Sequence, residues 1–331
     1  MKHDLSSGVI AAPILPYEAN GAIDWPTLDR YIGQVAAGGP RAIAMNMAVS
    51  EVSSLDLPEQ LEVVRRCKQS IAGACPLLSG VSATHTAAAV RIARQLVEAG
   101  ADGLVVFPPM PAFFGPVTVA MVVDYHRAIA AAVTVPILAF QTVFSKYPKG
   151  TITALSEIPN LVAIKDASFD VEQTLENVKE ARAAKRRIGV LTGSDTFILE
   201  AMLMGCDGAL IGFAATATSE IVRMQRLASE GQITEAYEIW GKVGTLARIC
   251  WRTPLRDYRV RTKYALMLQG VIPNMKVRPP FTEIAPADRA DIDATFREHN
   301  LTSPRFLPEG AGAGKPAKKP AKARLGGKRR S

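Results

Sequence analysis

One lysine in this sequence occupies a position where its amine could act as a nucleophile. The apolar run Leu161-Val162-Ala163-Ile164 leads directly into Lys165, which is followed by Asp166. Burial disfavours the ammonium form of lysine, lowers its pKa and exposes a neutral amine that can condense with a ketone to form an imine. Lys165 is therefore either a Schiff-base lysine or an ordinary one that pairs with Asp166 or extends to solvent. This segment alone does not separate the two interpretations.

The elements around Lys165 predict a TIM (β/α)8 barrel. Eight short apolar or β-branched runs are each followed by a turn and by a segment with helical spacing of apolar residues. The predicted strands are 8–14, 42–45, 77–81, 103–107, 136–140, 161–165, 188–192 and 209–213. The predicted helices between them are 25–37, 58–72, 84–99, 117–132, 151–158, 171–185, 196–204 and 219–229. Eight βα units over about 230 residues fit a closed barrel, whose active site lies at the carboxyl ends of its strands.

The chain divides into three predicted parts. Residues 1–230 form the barrel, and residues 231–309 form a C-terminal helical extension with helices at 233–247, 260–269 and 286–299. Residues 310–331 form a disordered tail rich in Lys, Arg, Pro and Ala, because such a composition cannot build a core. The tail carries the excess of 39 basic over 31 acidic residues, so the body is neutral. We favour a solvated tail over one that contacts nucleic acid or an anionic surface.

The amino-acid composition excludes several classes of protein. A content of 48% hydrophobic residues in 331 excludes a disordered chain or a small disulfide scaffold. No apolar segment approaches the roughly 18 residues that a membrane span needs, so we expect a cytoplasmic protein with no membrane contact. The four cysteines form no CxxC pair and the four histidines are scattered singly, so we expect no disulfide framework and no metal site.

Five segments, taken in order, resemble one known family. They are GVIAAPILPYEANGAIDWPTLDRYI near the start, LVAIKDAS around Lys165, LTGSD at 191–195, GCDGALIG at 205–212, and KYALMLQG with VRPPFTEI near the end. From about residue 8 to 284 the chain resembles the dihydrodipicolinate synthase and N-acetylneuraminate lyase family, the pyruvate-type class I aldolases. The resemblance implies that Lys165 forms an imine with pyruvate or another 2-oxo acid and that the protein is a homodimer or homotetramer. It implies no cofactor, since the protonated imine is the electron sink.

The segment that binds the substrate carboxylate departs from the family pattern. In the family it is usually Gly-Thr-Thr-Gly-Glu, whereas here it is Met47-Ala48-Val49-Ser50-Glu51. The resemblance implies that Ala48, Val49 and Ser50 contact the substrate. Backbone N–H groups remain available for the anion, and Ser50 could return one of the two lost hydroxyls.

The proton relay of the family is also missing. The family's fifth strand normally ends in a tyrosine, but Phe140 stands at that position, and Phe107-Pro108-Pro109-Met110-Pro111 replaces the family's Pro-Tyr-Tyr segment. General acid–base catalysis of this kind contributes about 100- to 10,000-fold in rate. Possible substitutes are Glu51, Ser50, Gln141 and Tyr147. We rank Glu51 first, because a carboxyl group in an apolar pocket can serve as acid or base.

Further residues are expected to contact the rest of the substrate. Gly193, Ser194 and Asp195 follow the seventh strand, although Asp195 could instead be only a helix N-cap. Gln141 after Phe140, and Ile211 in the eighth strand, complete the predicted substrate-binding set. His85 fits the first turn of a helix capped by Thr84, and His126 fits a surface position, so neither is assigned to catalysis.

These residues together predict a Schiff-base lyase, an aldolase or a dehydratase, that acts on a 2-oxo acid through Lys165. Several family hydroxyl positions are apolar here, which makes dihydrodipicolinate synthesis itself a poor match. The apolar positions are Ala48, Val49, Met110, Phe113, Phe114 and Phe140. The alternative is a catalytically degenerate relative that binds a small keto acid or carboxylate without converting it.

Overall fold

A computed structural model of the protein describes residues 4–301 and contains a closed, all-parallel eight-stranded barrel. Each strand pairs with the next along the chain, and β8 pairs with β1 to close the ring. The strands are β1 (Gly8–Ala11), β2 (Ala42–Met45), β3 (Leu77–Val81), β4 (Gly103–Val106), β5 (Ile137–Thr142), β6 (Leu161–Ala167), β7 (Gly189–Thr192) and β8 (Gly208–Ile211). The TIM barrel predicted from the sequence is therefore confirmed.

A helix follows each strand and covers the outside of the barrel. These helices are α1 (Trp25–Ala37), α2 (Leu57–Ile71), α3 (Thr86–Glu98), α4 (Val119–Ala130), α5 (Thr151–Leu155), α6 (Val171–Ala183), α7 (Ile198–Leu203) and α8 (Thr218–Ser229). Polar side chains fix several starts: Asp24 accepts a hydrogen bond from the Thr27 amide, and Asp56 forms a capping box with Glu59. The core lies inside the barrel and between the strands and this helical layer.

The positions of His85 and His126 differ from those predicted from the sequence. His85 is itself the N-cap of α3, where its Nδ1 accepts from the Ala88 amide, so Thr84 is not the cap. His126 lies buried in α4 instead of on the surface, beside the rings of Tyr125 and Tyr147. Burial lowers the pKa of His126 to about 4, so the imidazole is neutral at pH 7.

Three further helices follow the barrel: α9 (Ile233–Cys250), α10 (Tyr258–Leu268) and α11 (Pro286–His299). Helix α9 packs beside α8 and α7, and α10 and α11 pack against α9 and each other. The predicted boundary at residue 230 stays a prediction, as does the basic tail at 310–331, which lies outside the described residues. None of the helices within residues 4–301 is long and apolar enough to cross a membrane.

Strand alternation determines which side chains face the barrel interior near Lys165. Lys165 is in register with Phe140 on β5 and with Leu191 on β7, and Leu191 is in register with Gly208 on β8. Successive residues of a strand point to opposite faces, and residues in register share a face. The face that carries Lys165 therefore also carries Phe140, Leu191 and Gly208. Leu210 lies two residues beyond Gly208 on β8, so it shares this face. Ile211 points to the helical layer, which corrects its predicted place in the substrate site.

Candidate active site

The amine of Lys165 lies in an apolar environment at the carboxyl end of β6. The residue is 8% exposed, and its Nζ lies 4.3 Å from the centroid of the Phe140 ring. Phe107 packs edge-on against the same ring, with 5.0 Å between the two centroids. Burial lowers the pKa of Lys165 to about 8, and the negative charge of Asp195 opposes part of that shift. A substantial fraction of neutral amine is therefore present near pH 8.

The neighbouring Asp166 does not pair with Lys165, because the two side chains leave opposite faces of the strand. The Asp166 carboxylate accepts hydrogen bonds from the Gln141 side chain at 2.8 Å, the Ser168 amide at 2.9 Å, the Thr174 hydroxyl at 2.8 Å and the Asn177 side chain at 3.1 Å. Four donors satisfy this buried carboxylate and tie β6 to α6. The ordinary interpretation of Lys165 as the partner of Asp166 is excluded.

Gln141 belongs to this network and not to the barrel interior. Its amide nitrogen donates to Asp166, and its Oε1 accepts from the Tyr147 amide at 2.9 Å. The Tyr147 hydroxyl in turn donates to the Phe140 carbonyl at 3.1 Å. The expectation that Gln141 contacts substrate is therefore corrected, since it follows Phe140 by one residue and faces the helices. Tyr147, one of the possible proton donors, is a buried packing residue of the loop after β5.

Gly193 makes room for the side chain of Lys165. A Cβ atom at this residue would lie 2.7 Å from Lys165 Cε and 2.9 Å from Ala167 Cβ. Both distances are shorter than side chains tolerate, so any larger residue here would displace Lys165. The Gly193 amide also donates to the Asp166 carbonyl at 2.6 Å, which holds the turn after β7 against β6.

Ser194 and Asp195 continue this turn as buried polar residues. Asp195 is not the N-cap of α7, which begins at Ile198 without a side-chain cap; its Oδ1 accepts instead from the Phe213 amide at 2.7 Å. Burial raises the pKa of Asp195, while the Phe213 amide and the charge of Lys165 oppose the rise. The Ser194 hydroxyl is buried without a hydrogen-bond partner among the described residues. Both side chains can therefore still take part in substrate contacts.

Glu51 differs most from its predicted role as a free acid or base. It is fully buried, and its Oε1 forms an ion pair with the ammonium group of Lys263 in α10. Its Oε2 accepts from the Arg278 amide at 3.4 Å, and Lys263 also donates to the Lys276 carbonyl at 2.6 Å. Both carboxylate oxygens thus hold the helical extension to the barrel. Glu51 acts here as a structural ion pair, which corrects its ranking as the first substitute for the lost tyrosine.

The Ser50 side chain, in the same 47–51 segment, is bonded within the protein. The Ser50 hydroxyl donates to the Pro13 carbonyl at 2.7 Å and accepts from the Met47 amide at 3.4 Å, so its single proton is not free for a substrate. Val49 lies close to Gly212, just after β8. The side chains of Met110 and Phe113, part of the apolar set predicted from the sequence, lie outside the described structure, and Phe114 is 85% exposed.

A group of side chains from the helical extension reaches this mouth, and sequence reasoning did not find it. Trp251 packs against Gly212 and stacks on Tyr258, with 5.4 Å between centroids and 6° between planes. The Arg259 guanidinium lies over the Tyr258 ring, and its Nε donates to the Ala48 carbonyl at 2.8 Å. Burial raises the pKa of Tyr258 to about 12; the charge of Arg259 opposes the rise, and the charges of Asp195 and Glu51 add to it. The family match at KYALMLQG included Lys263 but indicated no role for it.

The described residues provide no evident metal centre. Within residues 4–301, no three His, Cys, Asp or Glu side chains gather in a way that would hold a metal ion.

Comparison with known proteins places these features in a family context. A sequence profile of the dihydrodipicolinate synthetase family matches residues 5–299. A protein from Thioalkalivibrio sulfidiphilus named 4-hydroxy-tetrahydrodipicolinate synthase is 27% identical, over 89% of this chain and 98% of its own. Its namesake from Saccharophagus degradans is 25% identical, over 89% of this chain and 99% of its own.

Solved structures agree on the fold. The dihydrodipicolinate synthase of Acinetobacter baumannii, complexed with pyruvate, superposes with a TM-score of 0.81 at 24% identity, over 89% of this chain and 99% of that one. YagE from E. coli K12, also in complex with pyruvate, has a TM-score of 0.81 at 21% identity, over 90% of this chain and 99% of that one. At these identities the likeness is one of fold.

Proposed function

Because the chain belongs to the dihydrodipicolinate synthetase family of lyases, we propose that Lys165 forms an imine with pyruvate or another 2-oxo acid. One observation carries the proposal: the Lys165 amine is buried over the Phe140 ring, no carboxylate within residues 4–301 is bound to it, and its pKa is lowered by burial. An amine in this state is nucleophilic near neutral pH.

The chemistry follows from the amine. Its lone pair attacks the C2 carbonyl carbon to give a neutral carbinolamine, which takes up one proton and loses water to leave a protonated imine. That cation accepts the electron pair released when a bond to the neighbouring carbon is broken. The proposed reaction is therefore aldol cleavage or condensation, or dehydration, and it needs no metal or organic cofactor.

The surroundings suggest how the substrate is held. We assign the carboxylate of the 2-oxo acid to backbone N–H groups of the segment Ala48–Ser50, since the Ser50 hydroxyl is already used by the Pro13 carbonyl. Ser194 and Asp195 are assigned to the part of the substrate beyond the keto acid. Phe140 and Phe107 form an apolar wall beside the imine.

The substrate proposed here differs from that of the curated relatives. They are named as synthases of 4-hydroxy-tetrahydrodipicolinate, at 25% and 27% identity in the two cases above. Phe140 cannot relay protons, and the 47–51 segment lacks the two family threonine hydroxyls. A site that has exchanged hydroxyls for methyl groups and rings favours another, less hydroxylated partner for the keto acid.

Reductive trapping tests the proposal directly. The folded protein is incubated with single 2-oxo acids and borohydride, and the modified residue is identified by peptide mass mapping. We expect a reduced adduct on Lys165 and none on Lys263, whose pKa burial also lowers to about 8 but whose ammonium group is bound to Glu51. Lys165→Met should abolish the adduct. The control Lys68→Met removes a lysine of α2 that is paired with Asp102, and it should leave the adduct on Lys165.

Failure of every 2-oxo acid in a broad panel to modify the folded protein would contradict the proposal. Trapping without turnover would favour the catalytically degenerate alternative. The homodimer or homotetramer and the cytoplasmic location expected from the sequence stay predictions.

A further inference from the structure

Arg259, in the first turn of α10, has no carboxylate partner among the described residues. Four neighbours in sequence are paired with acidic side chains: Arg252 with Asp288 and Asp291, Arg256 with Asp257, Arg261 with Asp288, and Arg278 with Glu59. Arg259 donates only to carbonyl oxygens, those of Ala48 at 2.8 Å and Arg256 at 3.3 Å. Within the described chain, the remaining N–H groups of Arg259 have no protein acceptor.

The guanidinium group is nevertheless held firmly. It lies between two aromatic rings, with 4.5 Å from its Cζ to the Tyr258 centroid and 4.4 Å to the Phe281 centroid. All three side chains are half-buried. Cation–π contacts and the Ala48 hydrogen bond fix the plane of the guanidinium, so it is pre-organised for a planar anion. Its position in the first turn of α10 adds the partial positive charge of a helix start.

A chain of contacts places Arg259 at the same barrel mouth as Lys165. Asp195, whose charge acts on Lys165, accepts from the Phe213 amide. The adjacent Gly212 packs against Trp251, which stacks on Tyr258, and Tyr258 carries the guanidinium of Arg259. Arg259 also binds the segment to which we assign the first carboxylate, through the Ala48 carbonyl.

The positive charge of Arg259 is not balanced by the charged side chains described around it. Lys263 is neutralised by Glu51 and Arg278 by Glu59, which leaves the charge of Arg259 in excess. A half-buried cation without a counter-ion is unfavourable, and an arginine fork matches a carboxylate in shape and charge. The excess charge is therefore available to an anionic group of the ligand.

We propose that Arg259 binds a second carboxylate, so that this enzyme acts on 2-oxo acids that carry an acidic group at the end remote from the ketone. The inference rests on the proposed function, because the keto end of the same molecule is held by Lys165. It assigns a substrate class, dicarboxylic 2-oxo acids, and makes Arg259 the residue that selects it.

A matched pair of ligands tests the inference. 2-Oxoglutarate and 2-oxopentanoate have the same number of carbon atoms and differ in the second carboxylate, and pyruvate reports on imine formation alone. The concentration of each acid that gives half-maximal borohydride trapping at Lys165 is measured by mass spectrometry. We expect 2-oxoglutarate to be half-saturating at about 10- to 100-fold lower concentration than 2-oxopentanoate, the range for a hydrogen bond between charged groups.

Variants of Arg259 and of the nearby Arg256 test whether Arg259 causes the preference for 2-oxoglutarate over 2-oxopentanoate. Arg259→Met should reduce that ratio to near one, and Arg259→Lys should keep part of it. Arg256→Met, an exposed residue paired with Asp257, should keep all of it. A ratio near one in the unmodified protein, or a ratio that survives in Arg259→Met, overturns the inference while pyruvate trapping leaves the proposed function intact. Absence of trapping by all three acids overturns both.

Discussion

Lys165 Nζ lies 4.3 Å from the centroid of the Phe140 ring. The group proposed to form the imine therefore lies against a side chain that has no proton to exchange. In the family that this chain resembles, a tyrosine at that position relays protons. The apolar ring also contributes to the desolvation that lowers the pKa of the amine. One substitution thus favours neutral amine and removes an acid–base group.

Returning a phenol to this position should accelerate proton transfer. For Phe140→Tyr we expect the exchange of the pyruvate methyl protons with deuterated water to rise by about 10-fold or more, since general acid–base groups contribute about 100- to 10,000-fold when well placed. Exchange is followed by proton NMR, with Phe140→Leu as the control that changes the ring without adding a hydroxyl. Equal rates in Phe140→Tyr and the unmodified protein would contradict the expectation.

Imine formation should depend on pH through Lys165. The neutral amine is the nucleophile, so the initial rate of trapping with pyruvate should rise with pH, with a midpoint near the lowered pKa of about 8. An ordinary lysine would give a midpoint at about 10.4. Rates measured between pH 6 and pH 11 with saturating cyanoborohydride test this. A midpoint above pH 10 would mean that burial does not act on this amine as described.

Lys165 should also reduce the stability of the fold. Its folded-state pKa lies below the unfolded value, so the unfolded chain binds more protons between about pH 8 and pH 10.5, and unfolding becomes harder as pH rises through that range. For Lys165→Met we expect a free energy of unfolding higher by on the order of 1–3 kcal/mol at pH 7, with a gain that shrinks toward pH 10. Urea titrations at both pH values measure it. A loss of stability at pH 7 would argue against a desolvated ammonium group.

Gly193 should tolerate no side chain. In Gly193→Ala the new Cβ would meet Lys165 Cε at 2.7 Å, so we expect trapping at Lys165 to slow by about 10-fold or more and stability to fall by about 1–3 kcal/mol. Gly241→Ala is a matched control, because that glycine lies in α9 and a Cβ there meets no atom within 4 Å. Trapping at the normal rate in Gly193→Ala would show that Lys165 does not depend on this gap.

The pair of Glu51 and Lys263 should behave as a structural unit. Glu51→Gln leaves the Lys263 ammonium group buried without a carboxylate, which should lower the free energy of unfolding by about 3 kcal/mol. The double variant Glu51→Gln with Lys263→Met should recover much of that loss, because it removes the uncompensated charge. A loss below about 1 kcal/mol for Glu51→Gln would return Glu51 to the candidates for acid–base catalysis.

The sequence by itself determined the barrel, the position of Lys165 at the end of β6 and the loss of the family tyrosine at Phe140. These follow from local properties: the spacing of apolar residues, the turns that end each strand, and motifs in a recognisable order. The sequence prediction for Gln141 and Ile211 was wrong, because their outward directions follow from a strand register that only the structure supplies.

Only the tertiary structure decided what the remaining polar residues do. Glu51 pairs with Lys263 and Arg259 binds the Ala48 carbonyl, contacts between residues separated by 212 and 211 positions in the chain. No periodicity or spacing encodes such a contact. It exists because α10 packs at the mouth of the barrel, where burial requires each charge to find a partner. Within residues 4–301 the guanidinium of Arg259 finds no acidic one.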